Sequence, residues 1–265
     1  MATAKYVSQQ VLQRAGMIAW TTALGAITAE ASAERSELSI DAAREGLDEA
    51  VDLGLLEKHS VLVGYSDIYT PTNAGRRLAR KHAAAGSYAY PQGLRVARVT
   101  IKDARHTIAC VSVVAALERR YRGHRVIGER ELHRDESEQK RRLASVEVRR
   151  YNQKRSHYPD AVIWPPGVPG EPEPPPVGVE VELTLKSKEE LTAICRGLAH
   201  GVQIGQIEAA LYYAEKRKLE ERLLDTIDEL KVGEMIIVNP LSEIVGPLPG
   251  FELSPWRDEE DHQHQ

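Results

Sequence analysis

The sequence predicts an α+β protein in two domains, and three observations lead to that class. The chain has 265 residues, 42% hydrophobic and 28% charged, which is the composition of a folded globular protein with length for about two domains. A front part carries helix-period patterns that give way to a short hairpin pattern and a further helix. A back part alternates helical stripes with apolar strands in a mixed order.

In the front part, Val11, Ala15, Ile18, Leu24 and Ile27 give the stretch from about Val7 to Ala33 an apolar face, as one helix or a helix pair. A turn is expected at Glu34 to Glu37. Ser39 then stands as an N-cap before Ile40, Ala43, Leu47, Ala50 and Val51, a pattern that closes at Gly54. Ser60 to Thr70 reads as two short strands about a turn at Gly64 to Asp67, and Asn73 to Arg80 as another helix. Helix, helix, hairpin, helix is the order of a winged helix-turn-helix, assigned to residues 1–90.

Tyr, Pro, Gly and Ser crowd Ser87 to Gly93 with no amphipathic period, so the boundary between domains is expected there. Over residues 91–250 the pattern predicts a helix at His106 to Tyr121 and strands at Arg125 to His133, Asp160 to Trp164 and Val177 to Leu185. Pro165 to Pro176 cannot donate a ladder of hydrogen bonds and reads as an exposed hairpin loop. Ser187 with Glu190 has capping-box spacing. A strand at Ile207 to Tyr213, a helix at Glu215 to Leu230 and a strand at Glu234 to Val238 complete an α-β-β-β-α-β-α-β order, followed by an acidic tail over 251–265.

A net charge of −4 excludes a uniformly basic nucleic-acid coat, but it is unevenly distributed. Residues 1–118, 119–155 and 156–265 carry balances of +1, +7 and −12. No stretch approaches the roughly 20 apolar residues that span a bilayer, and no basic region precedes an apolar run at the N-terminus, so a cytoplasmic protein with no membrane partner is expected. Cys110 and Cys195 lie far apart without metal-type spacing and read as small apolar fillers on helices.

Chemistry concentrates in three pieces: Glu131 in Gly128-Glu-Arg-Glu-Leu-His133, Asp160 after Pro159, and Glu180-Val-Glu182-Leu-Thr184-Leu-Lys186. In the last, the acids, Thr184 and Lys186 share one strand parity, and aligned carboxylates repel unless water, a basic partner or a shared cation relieves them. Asp160 and Glu180 are the candidate metal ligands, because Mg²⁺ takes one or two carboxylates plus water and phosphate oxygens. The alternative is a solvated acidic face paired with nearby arginines. His106, His133 and His157 are lesser candidates.

The segments Arg105-His106-Thr107, Gly128-Glu-Arg-Glu131, Tyr158-Pro-Asp-Ala161 and Val179-Glu-Val-Glu-Leu-Thr-Leu-Lys-Ser187 together resemble the replication-relaxation family of actinobacterial plasmids and mobile elements. With the winged-helix-like front, the resemblance covers nearly the whole chain. The back domain also resembles the PD-(D/E)xK nuclease core, with a mixed sheet. These resemblances imply a DNA-binding protein acting in plasmid replication, DNA relaxation or transfer, with metal-dependent phosphodiester cleavage at Glu131, Asp160, Glu180, Glu182 and Lys186. DNA, a second copy of the chain, or other plasmid replication and transfer proteins are the implied partners. The sequence departs from the nuclease pattern at the lysine two residues after the acid, where Glu182 or Thr184 stands. Lys186 would lie roughly 13 Å beyond Glu182 along a continuous strand. Lys188 or Arg196 from the following helix is the other candidate.

DNA contact is expected mainly from the basic segment, through Arg119, Arg120, Arg122, Arg141, Arg142, Arg149, Arg150 and Arg155. Arg76, Arg77 and Arg80 form a smaller basic face in the front domain. The helix that would enter the major groove presents Asp41, Glu45, Asp48, Glu49 and Asp52 against Arg44, which opposes groove entry. A solvated or protein-binding face is the ordinary reading of that helix. The arginines of 119–155 have an alternative use too, neutralising the acidic C-terminal part. The competing functional reading is a non-enzymatic transcriptional regulator or protein-interaction adaptor on an inactive nuclease-like fold.

Overall fold

The computed structural model describes residues 9–86, 88–95, 99–150 and 153–251. It is α+β, and the chain divides into two compact units, residues 1–111 and 112–265. The division falls downstream of the 87–93 segment. Beyond Phe251, the expected acidic tail lies outside the described residues.

The first unit contains α1 (Gln9–Leu24), α2 (Ala29–Ser36), α3 (Ile40–Asp52), β1 (Leu56–His59), β2 (Ile68–Pro71) and α4 (Asn73–His82). The first apolar stretch is a helix pair because Gly25 takes φ 92°, a left-handed conformation that ends α1. Ile27 then bridges Tyr69 antiparallel and so adds to the β1–β2 pair. Hydroxyl caps open the next helices: Ser39 Oγ accepts from Ala42 N at 3.2 Å and Thr72 Oγ1 from Gly75 N at 3.0 Å. Ile18, Ile27, Leu47, Leu56 and Ile68 are buried at its centre.

The hairpin differs from the expected one. Its strands run Leu56–His59 and Ile68–Pro71, with Leu56 opposite Pro71, and Ser60 to Asp67 is the connecting loop. Burial decides the register. Leu56 is buried while Val63 is fully exposed, so pairing through the 61–63 apolar run would have left Leu56 outside the core.

The second unit begins within α5 (Ile101–Arg120) and continues through β3 (Arg125–Gly128), α6 (Glu129–Gln139), β4 (Val146–Arg150), β5 (Gln153–His157), β6 (Ala161–Trp164), β7 (Val177–Glu182), α7 (Lys188–Gln203), β8 (Ala209–Ala214), α8 (Arg217–Leu230) and β9 (Ile236–Pro240). A five-stranded mixed sheet has the order β3-β6-β7-β8-β9. Its first two pairings are antiparallel, and α7 and α8 are the crossovers that make β7, β8 and β9 parallel. The proline tract joins β6 to β7 as the expected hairpin connection. One core layer lies between the sheet face carrying Val162, Trp164, Ala210 and Tyr212 and the apolar sides of α7 and α8.

Three elements depart from the sequence reading. Arg125 to His133 is not one strand, since Gly128 is the N-cap of α6 and Glu129 and Glu131 sit in its first turn, where carboxylates favour a helix. β4 and β5 form an antiparallel hairpin inside the basic segment, which charge density had hidden; Val146 and Val148 are its buried side chains. Strand β7 ends at Glu182 rather than Leu185.

The β4–β5 hairpin rests on α7 at two glycines one turn apart. A Cβ on Gly197 would stand 2.8 Å from the Glu147 carbonyl oxygen, and one on Gly201 would stand 2.9 Å from Val146 Cγ1. Glycine at both positions is what permits the close approach.

Candidate functional site

The register of β7 with β8 places Glu180 beside Tyr212 and Glu182 beside Ala214, on the sheet face that α7 covers. The carboxylate strand is therefore buried on both faces, with Glu180 5% and Glu182 4% exposed, and the solvated acidic face considered above is absent here. Each buried carboxylate has a cationic partner. His157 Nε2, at the end of β5, lies 2.7 Å from Glu180 Oε1, and Lys186 Nζ donates to Glu182 Oε2. Asp160 joins the group through its main-chain neighbours: its Oδ2 accepts from Val181 N at 2.7 Å, between the two glutamates.

Lys186 reaches this centre because β7 stops. After Glu182 the chain leaves the strand, Thr184 N donates back to Glu182 Oε1 at 3.4 Å, and the lysine returns instead of continuing some four residues away. The estimate of roughly 13 Å for an uninterrupted strand fails for that reason. Lys188, by contrast, pairs with Glu229 of α8 at 2.6 Å, and Arg196 is exposed on α7.

The protonation energetics follow from burial. Burial pushes Glu180 above the usual carboxylate range, the His157 charge opposes that rise, and Asp160 adds to it. For His157, burial favours the neutral ring, but the neighbouring Glu180 outweighs it and the net shift is upward. Burial likewise acts against the Lys186 ammonium, and Glu182 overcomes it, so the amine is held above its ordinary value. Tyr212 and Cys195 complete the floor, and burial pushes both up, Cys195 to about 12, so neither is an anion at neutral pH. Their involvement was not foreseen, although the parity of Ala210, Tyr212 and Ala214 carried the signal.

Glu131 sits in a different group. It lies on α6, 3.5 Å from Arg134, which also contacts Asp135, and Asp135 receives Arg125 at 2.8 Å. Burial raises Glu131, with Arg134 and Arg125 opposing. The charges acting most on Glu180 are instead His157, Asp160 and Lys186. Glu136, unremarked in the sequence, is a structural carboxylate: Oε1 accepts from the N–H groups of Leu143, Ala144 and Ser145 at 2.7, 3.0 and 2.8 Å.

Asp160 and Glu180 suit Mg²⁺ in donor chemistry, being hard carboxylate oxygens beside one another's charge. Among the described residues, Glu180 belongs to no set of three ligand atoms within 4.8 Å of one another, so a cation held here would rely on water or phosphate for its remaining positions.

The basic residues divide by location. Arg149 and Lys154 each lie 3.1 Å from Glu147 and Arg142 lies 3.8 Å from it, so three cations of the β4–β5 region share one carboxylate. Arg150 reaches Glu190 at 3.4 Å, Arg141 and Arg155 bond to the glutamines Gln139 and Gln153, and Arg119, Arg120 and Arg122 are exposed around the end of α5. In the first unit, Arg76 donates to the Leu94 carbonyl, Arg80 lies 5.5 Å from the Tyr90 ring centre, and Arg77 is exposed.

On α3, Arg44 bonds Asp41, Glu49 takes Arg14 at 2.7 Å, and Asp48 receives Lys58 at 3.0 Å and the Tyr69 hydroxyl at 2.9 Å. Asp48 is therefore internal bracing of the hairpin rather than part of a solvated face.

Family models, curated proteins and solved structures were compared with the chain, and none matches. Among the described residues no helix is long and apolar enough to cross a membrane.

Proposed function

We propose that this chain is a DNA-binding protein of a plasmid or mobile element, acting in replication, relaxation or transfer. In this reading the first unit is a winged helix and the second a PD-(D/E)xK-like core with a metal-dependent phosphodiester-cleaving centre. The observation that carries it is the return of Lys186 to the buried carboxylates, which offers a cation at the place where the sequence lacks the expected lysine. The placing of β3, β6, β7 and β8 side by side in one sheet, with α7 as the crossover from β7 to β8, and the Ile27–Tyr69 bridge beside the β1–β2 hairpin support the two fold assignments.

Asp160 and Glu180 would hold Mg²⁺, which supplies polarisation of a phosphodiester and a lowered pKa for an attacking water. Lys186, steadied by Glu182, presents positive charge where charge develops on the phosphoryl oxygens. His157 fixes the Glu180 carboxylate, and its charge opposes the rise that burial imposes on that acid. The exposed arginines of the β4–β5 region supply the phosphate attraction.

The test is cleavage of supercoiled and linear DNA with Mg²⁺ or Mn²⁺. Asp160→Ala and Lys186→Ala are expected to abolish turnover while leaving DNA affinity within about threefold. Turnover that survives Asp160→Ala sinks the assignment. One observation favours a second reading, an inactive nuclease-like binder or adaptor: Glu180 and Glu182 each already have a cationic partner within the protein. DNA binding without any metal-dependent cleavage would select it.

A further inference from the structure

Between β4 and α7 runs an open groove of about 810 Å³, away from the ion pairs of the carboxylate centre. Its floor is apolar, formed by Val146, Ala193 and the two close-packing glycines. Its walls are lined by basic side chains, of which Lys188 is paired with Glu229. Arg142 and Arg149 stand on the hairpin side, and Lys188, Arg196 and His200 on the helix side, against the acids Glu147 and Glu189. Glu147 is shared by Arg142, Arg149 and Lys154, so this one carboxylate offsets only part of the positive charge on the hairpin side. Arg196 and His200 are exposed, one turn apart, and neither forms an ion pair with a described residue.

Length distinguishes the ligand. From Lys188 to His200 the helix wall extends about 18 Å at 1.5 Å per residue. That matches the axial length of about five nucleotides of a duplex strand at 3.4 Å each. A lone phosphate or a mononucleotide would occupy a fraction of it. An apolar floor between cationic rims suits a sugar-phosphate chain, whose sugars tolerate apolar contact while its phosphates face the rims.

We propose that this groove is the track for the phosphodiester backbone of duplex DNA, with Arg196 and His200 as phosphate contacts on the helix wall. The proposal rests on the DNA-binding reading above and adds to it the face of the second unit that the DNA follows. It does not depend on cleavage.

The experiment measures binding of a fluorescent 20-base-pair duplex to the full chain across a salt series, with a single strand of equal length, a mononucleotide and inorganic phosphate as competitors. Arg196→Ala with His200→Ala is expected to weaken duplex binding about fivefold and to make the salt dependence shallower by about one phosphate equivalent. Both side chains are exposed, and an unchanged melting temperature verifies that the variant is folded. Lys218→Ala, exposed on α8 and outside the groove lining, is expected to change affinity by less than twofold.

If the helix-wall variant binds duplex as the native chain does, while Arg141→Ala with Arg155→Ala, both outside the groove lining, loses affinity, the groove assignment fails and the DNA reading stands. Competition by the mononucleotide at the same concentration of phosphate as the duplex also overturns it, in favour of a small-anion site. Preference for the single strand over the duplex overturns the duplex assignment. No binding by the native chain at low salt defeats both the groove and the reading beneath it.

Discussion

Replacing Gly197 with alanine tests whether the close seat of the β4–β5 hairpin on α7 is needed to hold the basic groove. Two effects oppose each other. Alanine is better than glycine inside a helix by about 1 kcal/mol. The new methyl, however, would meet the Glu147 carbonyl oxygen at 2.8 Å and Val148 Cγ2 at 3.0 Å, short of the 3.4 Å where ordinary contact begins. A backbone carbonyl in a strand cannot rotate aside, so β4 must retreat, at the roughly 1–3 kcal/mol that overpacking costs.

Gly201→Ala gains the same propensity, but its methyl would meet only side-chain atoms, Val146 Cγ1 at 2.9 Å and Ile207 at 3.4 Å. The shared helix term cancels in the comparison. Gly197→Ala is therefore expected to be less stable than Gly201→Ala by about 1–2 kcal/mol, since side chains yield more easily than a strand. Urea unfolding of each full-length variant measures the difference, and amide exchange of Val146 to Arg150 reports whether the strand has loosened. A Gly197→Ala chain as stable as the Gly201→Ala chain, with unchanged exchange across β4, would refute the reasoning.

Removing Glu136 leaves the N–H groups of Leu143, Ala144 and Ser145 without their carboxylate; Glu136→Ala is expected to cost about 3–5 kcal/mol, and Glu136→Gln, which keeps one acceptor oxygen, less, both measured by denaturant unfolding. His157 has its folded pKa raised above the ordinary 6.5, so its contribution to stability is fully present below pH 6.5 and is lost as pH rises through the folded value. Melting temperatures compared between pH 6 and 9 should show the native chain losing its advantage over His157→Gln as pH rises; an advantage that grows with pH contradicts the sign.

Several features were legible because they rest on local physics. The hydroxyl caps at Ser39 and Ser187 follow from the need of a helix start for acceptors, and both are made, Ser187 to Glu190 N at 3.2 Å. The parity of Glu180 and Glu182 followed from the two-residue period of a strand. The β4–β5 hairpin is hidden in the sequence because its exposed residues are charged or polar and only Val146 and Val148 mark its inner face. The hairpin of the first unit was misplaced because Val61 and Val63 are as strand-prone as Leu56, and propensity alone does not say which enters the core.

The carboxylate centre shows where sequence ends and tertiary structure begins. Sequence by itself determined the α+β class, the order of most elements, the uneven charge and the set of acids worth considering, since composition and periodicity are properties of the chain. Only the tertiary structure decided that β7 ends at Glu182, that Lys186 turns back to it, that His157 meets Glu180, and that Glu131 belongs to an arginine cluster instead. The reason is that a buried charge needs an opposite charge within a few ångströms. Which partner it finds depends on packing between segments distant in sequence, a distance that neither spacing nor parity encodes.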